Sequence, residues 1–160
     1  MEEFRFALLR ITYLPLSTLQ FSGYPGVVLR GALGTALKQV ACFDKVACAK
    51  GCAHPHQCAY GQLFETPVPP DSPIFAEQTS AVRPFVIEPP ISDEWRVTDD
   101  ETLRINHHTL HPTYAPGDQL IFHLILIGKA LDYLPYFVYA LMRMGERGIR
   151  NVRCVLERIE

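Results

Sequence analysis

The chain has 160 residues, of which 48% are hydrophobic and 20% are charged, and its formal net charge is −2 at pH 7. These values predict one globular domain with a sizeable core and exclude a disordered chain. They also exclude binding of nucleic acid through a global basic field, so such a partner would need a local basic patch.

The sequence shows no sign of a membrane or secretory segment. No apolar run approaches the ~20 residues of a membrane helix. The acidic start, Met1-Glu2-Glu3, leads into a strand-like pattern and is unlike a signal peptide. We therefore expect a cytoplasmic protein that contacts no membrane and keeps its cysteines reduced.

A strand and a helix open the chain. Phe4–Tyr13 alternates and then stays apolar, which predicts a strand buried on most of both faces. Val27–Ala41 is a predicted helix with one apolar face at spacings of three and four, formed by Leu29, Leu33, Ala36, Leu37 and Val40. Inside it, Gly31 and Gly34 each cost about 1 kcal/mol relative to alanine. That cost indicates a packed neighbour or a ligand against the helix backbone.

The second half of the chain alternates strands with one more helix. Arg83–Pro89 is predicted to be a short strand, either an edge strand or the beginning of a strand, because it is bounded by prolines. The other predicted elements are a hairpin around Asp99-Asp100, a doubly covered central strand at Gln119–Ile127, a helix at Leu134–Met144, a glycine-containing turn at 145–150 and a last strand at Asn151–Ile159. Cys154 alternates inside the last strand and is a predicted core residue.

The main elements run strand, helix, strand, strand, helix, strand. This order predicts an α+β, ferredoxin-like (RRM-like) βαββαβ domain over residues 1–160, with an antiparallel four-stranded sheet and both helices on one face. A cysteine-rich loop of about residues 42–70 becomes an insertion after the first helix.

Four of the five cysteines lie within this insertion. Cys42, Cys48, Cys52 and Cys58 are spaced C-x5-C-x3-C-x5-C. Four thiolates can close a tetrahedral metal site, with zinc favoured over an iron–sulfur cluster, and such a closed site is structural rather than catalytic. His54 or His56 could replace one thiolate. The alternative is a loop of four reduced cysteines without a metal.

Basic residues and glycines form a second pattern. They occur on the first helix and around the end of the second, and comprise Arg30, Lys38, Arg143, Gly145, Arg147, Gly148 and Arg150. Glycines let a backbone approach a phosphate, and arginines pair with it. The alternative is a solvated helix end, where cations are favourable in any case.

Histidines are the weakest of the signals. His107, His108 and His111 crowd one polar segment and are candidates for a general base acting on a ribose hydroxyl. The alternative is an exposed loop. His123, in the predicted central strand, is more typical of a hydrogen-bonded core histidine.

Several motifs occur in an order that is similar to one family. They are LRGALGTAL, four cysteines ending in CAYGQLFE, RPFVIEPP, PGDQLIFHLILIGKALDYLPYFVYAL and a glycine turn. Over nearly its whole length the chain resembles the N-terminal half of a CRISPR-associated RAMP-superfamily protein, from the precursor CRISPR RNA processing endoribonucleases.

The resemblance implies two tandem ferredoxin-like domains, of which this chain would be the first. It implies metal-independent cleavage of CRISPR repeat RNA through 2′-hydroxyl attack, with the RNA held by basic residues and by a glycine-rich loop that corresponds to residues 145–150. Other CRISPR-associated proteins would be further partners. The turn is poorer in glycine than the family's loop, and the first helix lacks the histidine that some members carry there.

Two alternative functions stay open. One is a non-catalytic RNA-binding or scaffold subunit of a CRISPR effector complex. The other is a zinc-stabilised interaction domain with no role in RNA.

Overall fold

The structure is a computed structural model that describes residues 4–49, 52–68, 80–90 and 112–160. The hairpin predicted around Asp99-Asp100 lies outside these residues, and so do His107, His108 and His111.

The described residues contain two sheets and two α-helices. The strands, numbered in chain order, are β1 (Phe6–Pro15), β2 (Leu19–Gln20), β3 (Phe85–Glu88), β4 (Thr113–Tyr114), β5 (Leu120–Ile127) and β6 (Cys154–Ile159). The helices are α1 (Pro25–Ala41) and α2 (Leu134–Arg147), with a π-helical turn at Gly61–Glu65 and a 3-10 segment at Gly128–Tyr133.

Four strands form the main sheet in the order β3-β5-β1-β6, and every neighbouring pair is antiparallel. β2 and β4 pair separately as a small two-stranded sheet. The predicted α+β class, with a four-stranded antiparallel sheet and two helices, is confirmed. Of the two positions predicted for the proline-bounded strand, an edge or the beginning of a strand, the edge is observed, because β3 is the outer strand next to β5.

β5 is central, but its burial differs from the prediction. Leu120, Phe122, Leu124 and Leu126 are buried, whereas the residues between them are only half-buried. The strand is therefore covered fully on one face only. A continuous apolar run does not distinguish this arrangement from a doubly covered strand, because Ile121, Ile125 and Ile127 occupy the less covered side.

The core lies between that sheet face and both helices. Ile11 and Tyr13 of β1 pair with Phe122 and Leu120 of β5, and all four are buried. The same cluster contains the predicted apolar face of α1 and residues of α2, including Leu29, Leu33, Leu37, Phe137 and Leu141. The Tyr13 hydroxyl donates a hydrogen bond to the Leu141 carbonyl at 2.5 Å, which ties β1 to α2.

The other face of the sheet carries partly exposed apolar side chains. Phe6 is 62% exposed and Leu8 is 55% exposed, so the predicted burial of both faces of β1 is wrong at its beginning. His123 also lies on this face, half-buried, with Nδ1 at 3.5 Å from Glu88 Oε2. It is therefore not a core histidine.

The end of α2 differs from the predicted turn. The helix continues to Arg147, so Gly145 lies inside it and is buried. A Cβ on Gly145 would lie 2.6 Å from the Cys154 carbonyl oxygen and 2.9 Å from the Tyr13 ring. This glycine permits close packing of α2 on β1 and β6. Cys154 itself is buried, as predicted.

Among the residues that the structure describes, no helix has the length and apolar character needed to cross a bilayer.

Candidate nucleic-acid interface and thiol cluster

The two glycines of α1 have different environments. Gly34 is buried against the Phe64 ring, and an added Cβ would overlap that ring. Gly31 is exposed, and an added Cβ would meet nothing within 4 Å. The helix therefore uses one glycine to admit an aromatic neighbour, whereas the other leaves its backbone open to solvent.

Phe64 connects the segment that follows the cysteines to the core. Its ring stacks on Tyr60 at 5.4 Å and on Phe85 at 5.9 Å between centroids, and Phe85 in turn contacts Phe137 of α2. The Arg83 guanidinium lies 5.4 Å from the Phe64 centroid and donates a hydrogen bond from Nε to the Phe64 carbonyl at 2.7 Å. The guanidinium of Arg30 lies 5.6 Å from the same centroid.

A groove of about 840 Å³ lies between the exposed sides of α1 and α2 and the cysteine loop, residues 42–58. We call it the loop groove. Its cationic lining residues are Lys38 of α1, Lys45 of the cysteine loop and Arg143 of α2. None of the described residues that line it is acidic. The groove therefore favours an anionic ligand.

Aromatic rings line the same groove. Tyr60 and Phe64 form its inner wall, and Lys38 Nζ lies 5.7 Å from the Tyr60 centroid. Tyr139 of α2 lines the opposite side and is 50% exposed. Half of the Tyr139 side chain is therefore accessible to a ligand, whereas Tyr60 is largely buried and its pKa is raised by burial and by nearby Glu65.

A second groove of about 280 Å³ adjoins the first, and we call it the turn groove. It is lined by the first half of α1 and by the turn that follows α2, including Arg147, Gly148 and Arg150. Gly31 and Thr35 line both grooves. The two grooves therefore meet along the exposed side of α1.

The turn after α2 is tight. Gly148 has a φ of 102°, and Arg150 and Asn151 have φ values of 51° and 66°. Ile149 and Val152 exchange two backbone hydrogen bonds across it, at 2.9 and 3.0 Å. Two successive positive φ values are typical of a type I′ turn, and an arginine seldom adopts them. The Arg150 guanidinium donates a hydrogen bond to the Ser22 hydroxyl beside the beginning of α1.

The structure brings most of the predicted basic residues to this surface. Lys38 and Arg143 line the loop groove, Arg147, Gly148 and Arg150 line the turn groove, and Arg30 lies beside Phe64. Arg143 also pairs with Glu146 at 2.5 Å, which offsets part of its charge. Arg30 and Gly145 are not among the described residues that line either groove, and Gly145 is buried inside α2.

Sequence reasoning missed Lys45 as a residue that lines the loop groove. Lys45 lies between Cys42 and Cys48 in the sequence. A loop that brings those two cysteines together necessarily places Lys45 next to them, and that spacing was the available signal.

The four cysteines of the loop are free thiols that lie near one another. The thiols of Cys42 and Cys48 are within hydrogen-bonding reach, and so are those of Cys48 and Cys52. Cys58 is close enough to Cys42 and Cys52 for their charges to interact. Among the described residues, no three or more His, Cys, Asp or Glu side chains form a group that would hold a metal ion as they stand. Coordination would require the side chains to turn toward a common point.

Backbone N–H groups also point at these thiols. The Ala53 N–H donates to Cys48 Sγ at 3.3 Å, and this hydrogen bond lowers the pKa of Cys48. The His54 N–H acts in the same direction on Cys48 and Cys52, although burial raises the pKa of Cys52 overall. Burial likewise raises the pKa of Cys42. The neighbouring backbone N–H groups thus favour the thiolate form of Cys48.

The two loop histidines differ in their partners. His54 Nε2 lies 3.3 Å from Asp44 Oδ2, and its ring stacks on Phe43 at 5.3 Å. The pKa of Asp44 is lowered by the Ala47 N–H and by His54. His56 is exposed. A carboxylate at one imidazole nitrogen is the usual arrangement of a metal-ligating histidine, so this contact is compatible with His54 replacing one thiolate.

Fold and site together define a small α+β domain with a cationic and aromatic groove on the helix side of its sheet. The family model that matches the chain is AF_1859_N, described as an N-terminal domain, and the match covers residues 4–160. The chain belongs to this family. Its description gives the position of a domain and names no activity. No match was found among curated proteins.

Proposed function

We propose that this chain is the RNA-binding N-terminal domain of a CRISPR-associated RAMP-superfamily endoribonuclease, which cleaves within the repeat RNA of precursor CRISPR RNA in the cytoplasm. One observation carries the proposal. The loop groove combines three cationic side chains with aromatic rings and has no acidic residue among its described lining.

The cationic side chains and the aromatic rings would each contribute to the binding of single-stranded RNA. Lys38, Lys45 and Arg143 would pair with successive backbone phosphates, which supplies affinity without reading sequence. The exposed Tyr139 ring would stack on an unpaired base, a contact worth about 1–3 kcal/mol per base. Sequence-specific RNA recognition is mostly directed at such unpaired bases.

The turn groove extends this surface. Because Gly31 and Thr35 line both grooves, an RNA strand would follow the exposed side of α1 from Lys38 toward Arg150. Gly31 lacks a side chain where such a strand would pass. A positive φ at Arg150 is the kind of strained position that persists near functional sites, and here it places a guanidinium beside the groove.

The strand order supports a ferredoxin-like fold for this domain. β1 and β3 flank β5 and are connected through α1, while β5 and β6 flank β1 and are connected through α2. Two interleaved units of this kind, all pairs antiparallel, are what the βαββαβ pattern requires.

In the proposed reaction, the ribose 2′-hydroxyl attacks the adjacent phosphorus, a cyclic phosphate forms and the 5′-oxygen leaves, so no metal is needed. A general base accepts the 2′-hydroxyl proton and an acid protonates the leaving oxygen. No histidine is among the described residues that line the grooves. The described lining residues would bind and orient the RNA, and His107, His108 and His111 are the histidine candidates for the proton transfers.

The same observation favours a second function, a non-catalytic RNA-binding or scaffold subunit of a CRISPR effector complex. Both functions predict RNA binding at the grooves, and they differ in cleavage.

The test is titration of labelled CRISPR repeat RNA into the protein at several salt concentrations, with and without EDTA. The variant Lys38→Ala/Lys45→Ala/Arg143→Ala should bind more weakly. The slope of log K against log salt should fall by about 2, from about 0.7 for each lost single-strand phosphate contact. Arg158→Ala is the matched control, because Arg158 is an exposed cation on β6 outside both grooves.

The outcomes distinguish the endoribonuclease, the non-catalytic subunit and the interaction domain without an RNA role. Binding with cleavage in EDTA supports the endoribonuclease, and binding without cleavage supports the subunit. Absence of RNA binding at low salt would reject both functions and leave the interaction domain without an RNA role. Equal slopes for the variant and the wild type would instead reject the loop groove as the RNA-binding surface.

A further inference from the structure

The cysteine loop has little apolar material to hold it. Phe43 is 65% exposed and Val46 is 89% exposed, although both are large hydrophobic residues. Cys48 and Cys58, in contrast, are each only 2% exposed. In this loop the cysteines, rather than the aliphatic and aromatic side chains, occupy the interior.

Two of the cysteines are attached to the folded core and two belong to the loop. Cys42 directly follows α1, and its N–H donates to the Lys38 carbonyl. Cys58 belongs to the core cluster, and its thiol donates to the Ala41 carbonyl at 3.5 Å. Cys48 and Cys52 lie between them on the loop. A ligand bound by all four would join the loop to the end of α1.

We propose that Cys42, Cys48, Cys52 and Cys58 bind one zinc ion, and that this ion holds Lys45 in position as part of the wall of the loop groove. The donor set supports zinc, since four soft thiolates at close spacing suit a tetrahedral structural site. The Ala53 and His54 N–H groups directed at the thiols would offset the negative charge of the bound thiolates.

Because of where the cysteine loop lies, a bound metal would affect the affinity of the groove for RNA. Cys42, Cys48 and Lys45 all line the loop groove, so the proposed metal site and the phosphate-binding surface share one wall. Lys45 lies between two of the metal ligands in sequence. Fixing Cys42 and Cys48 therefore restricts where the Lys45 ammonium can lie, which lowers the ordering cost of its contact with a phosphate.

The coupling rests on the proposed function, whereas the metal site does not. Zinc bound to the groove wall makes RNA affinity depend on metal occupancy even though the metal touches no reacting atom. By linkage, RNA bound at the groove would in turn strengthen retention of the ion.

The experiment measures zinc and RNA binding on the same protein. Purified protein is analysed for zinc per chain, stripped with a chelator, reloaded with zinc, and titrated at each stage with labelled repeat RNA after chelator removal. We expect one zinc per chain and RNA affinity that falls about tenfold on stripping, as for loss of one charged contact, and returns on reloading. Circular dichroism of the stripped protein checks that the sheet and helices persist.

Two variants sharpen the result. Lys45→Ala should keep its zinc, bind RNA about tenfold more weakly and no longer respond to stripping. Cys154→Ala is the control, because Cys154 is a buried cysteine of β6 outside the cluster, and it should retain both zinc and wild-type RNA affinity.

Each outcome decides one part of the proposal. Failure to retain or take up zinc would overturn the metal site. One zinc per chain with RNA affinity unchanged by stripping, or a Lys45→Ala variant that still responds to it, would overturn the coupling. Zinc retention without RNA binding under any condition would overturn the proposed function and the coupling together, and leave the metal site standing.

Discussion

The core beneath the sheet and the cysteine loop use different means of staying folded. In the core, alternate residues of β1 and β5 and one face of each helix exclude water together, with Phe122 and Phe137 at most 1% exposed. In the loop, large apolar side chains such as Val46 point outward, while thiols fill the interior. Apolar burial needs no ligand, whereas a thiol cluster becomes strongly stabilising only when a metal binds it. We therefore expect the two regions to respond to different perturbations.

The largest expected effect is in the core. Phe122→Ala removes a ring that is 1% exposed and should lower the free energy of unfolding by about 3–5 kcal/mol, with or without zinc. Urea denaturation in the presence of zinc and of a chelator measures it. Val155→Ala, at a position 48% exposed, is the control and should change stability by less than about 0.5 kcal/mol. If the stability lost in Phe122→Ala differed between zinc and chelator, the core and the cysteine loop would not be stabilised independently.

The next effect belongs to the loop. Cys52→Ser should abolish the stabilisation that zinc confers, about 3 kcal/mol when free zinc is at ~100 times its Kd, and should cost little in a chelator. Thermal unfolding monitored with and without zinc measures the difference. An equal cost in both conditions would show that Cys52 stabilises the loop by packing alone.

The third effect on stability concerns the contact between α1 and the segment that follows the cysteine loop. Gly34 of α1 receives the Phe64 ring, which stacking on Tyr60 and Phe85 holds in place. Gly34→Ala should therefore destabilise the domain by about 1–3 kcal/mol through overpacking. The matched change Gly31→Ala, in open space on the same helix, should stabilise it by about 1 kcal/mol through helix propensity. Chemical denaturation of both variants measures the change in the free energy of unfolding. Changes of the same sign would contradict the different environments described for the two glycines.

The smallest expected effect concerns the core and is a change in how the free energy of unfolding depends on pH. Burial raises the pKa of Tyr13 in the folded state, while an unfolded tyrosine titrates near 10. The folded state therefore holds this proton more tightly, and its contribution to stability is complete below about pH 10 and is lost as the pH rises above it. Tyr13→Phe should cost about 1 kcal/mol at pH 7 through the lost bond to Leu141.

The same variant should lose less stability than the wild type between about pH 9 and pH 11. Burial also raises the pKa of Tyr60 and Tyr114, so the decline should be reduced rather than abolished. Urea unfolding at three pH values measures it. Parallel curves for the two proteins would mean that Tyr13 ionises as freely in the folded state as in the unfolded state.

Local pattern was sufficient for the main elements. The spacing of Leu29, Leu33 and Leu37 predicted the buried face of α1, because it depends on geometry within a single element. The flanking prolines narrowed β3 to an edge or the beginning of a strand, and the structure has it at the edge. The same reasoning predicted burial of Cys154. The prediction that both faces of β1 are buried was wrong for Phe6 and Leu8, since the sequence of one strand does not indicate whether other elements cover its second face.

The candidate site was predictable in part for the same reason. Arg143, Arg147 and Arg150 were identified from their clustering in the sequence. Their meeting with Lys38, Lys45 and Tyr139 depends on the packing of α2 against α1 and on the path of the loop. Gly145 illustrates the limit, because a glycine in a turn and a glycine in a close helix contact look alike in sequence.

By itself the sequence determined the type and order of the main elements, the identity of four clustered thiols and the presence of cations near glycines. These follow from side-chain chemistry and from periods of two and 3.6 residues, which act over short distances along the chain. The tertiary structure decided which glycine admits Phe64, which face of the sheet stays open, and that Lys45 lines the groove beside the thiols. Those features depend on surfaces from distant segments meeting, and no local period encodes such a meeting.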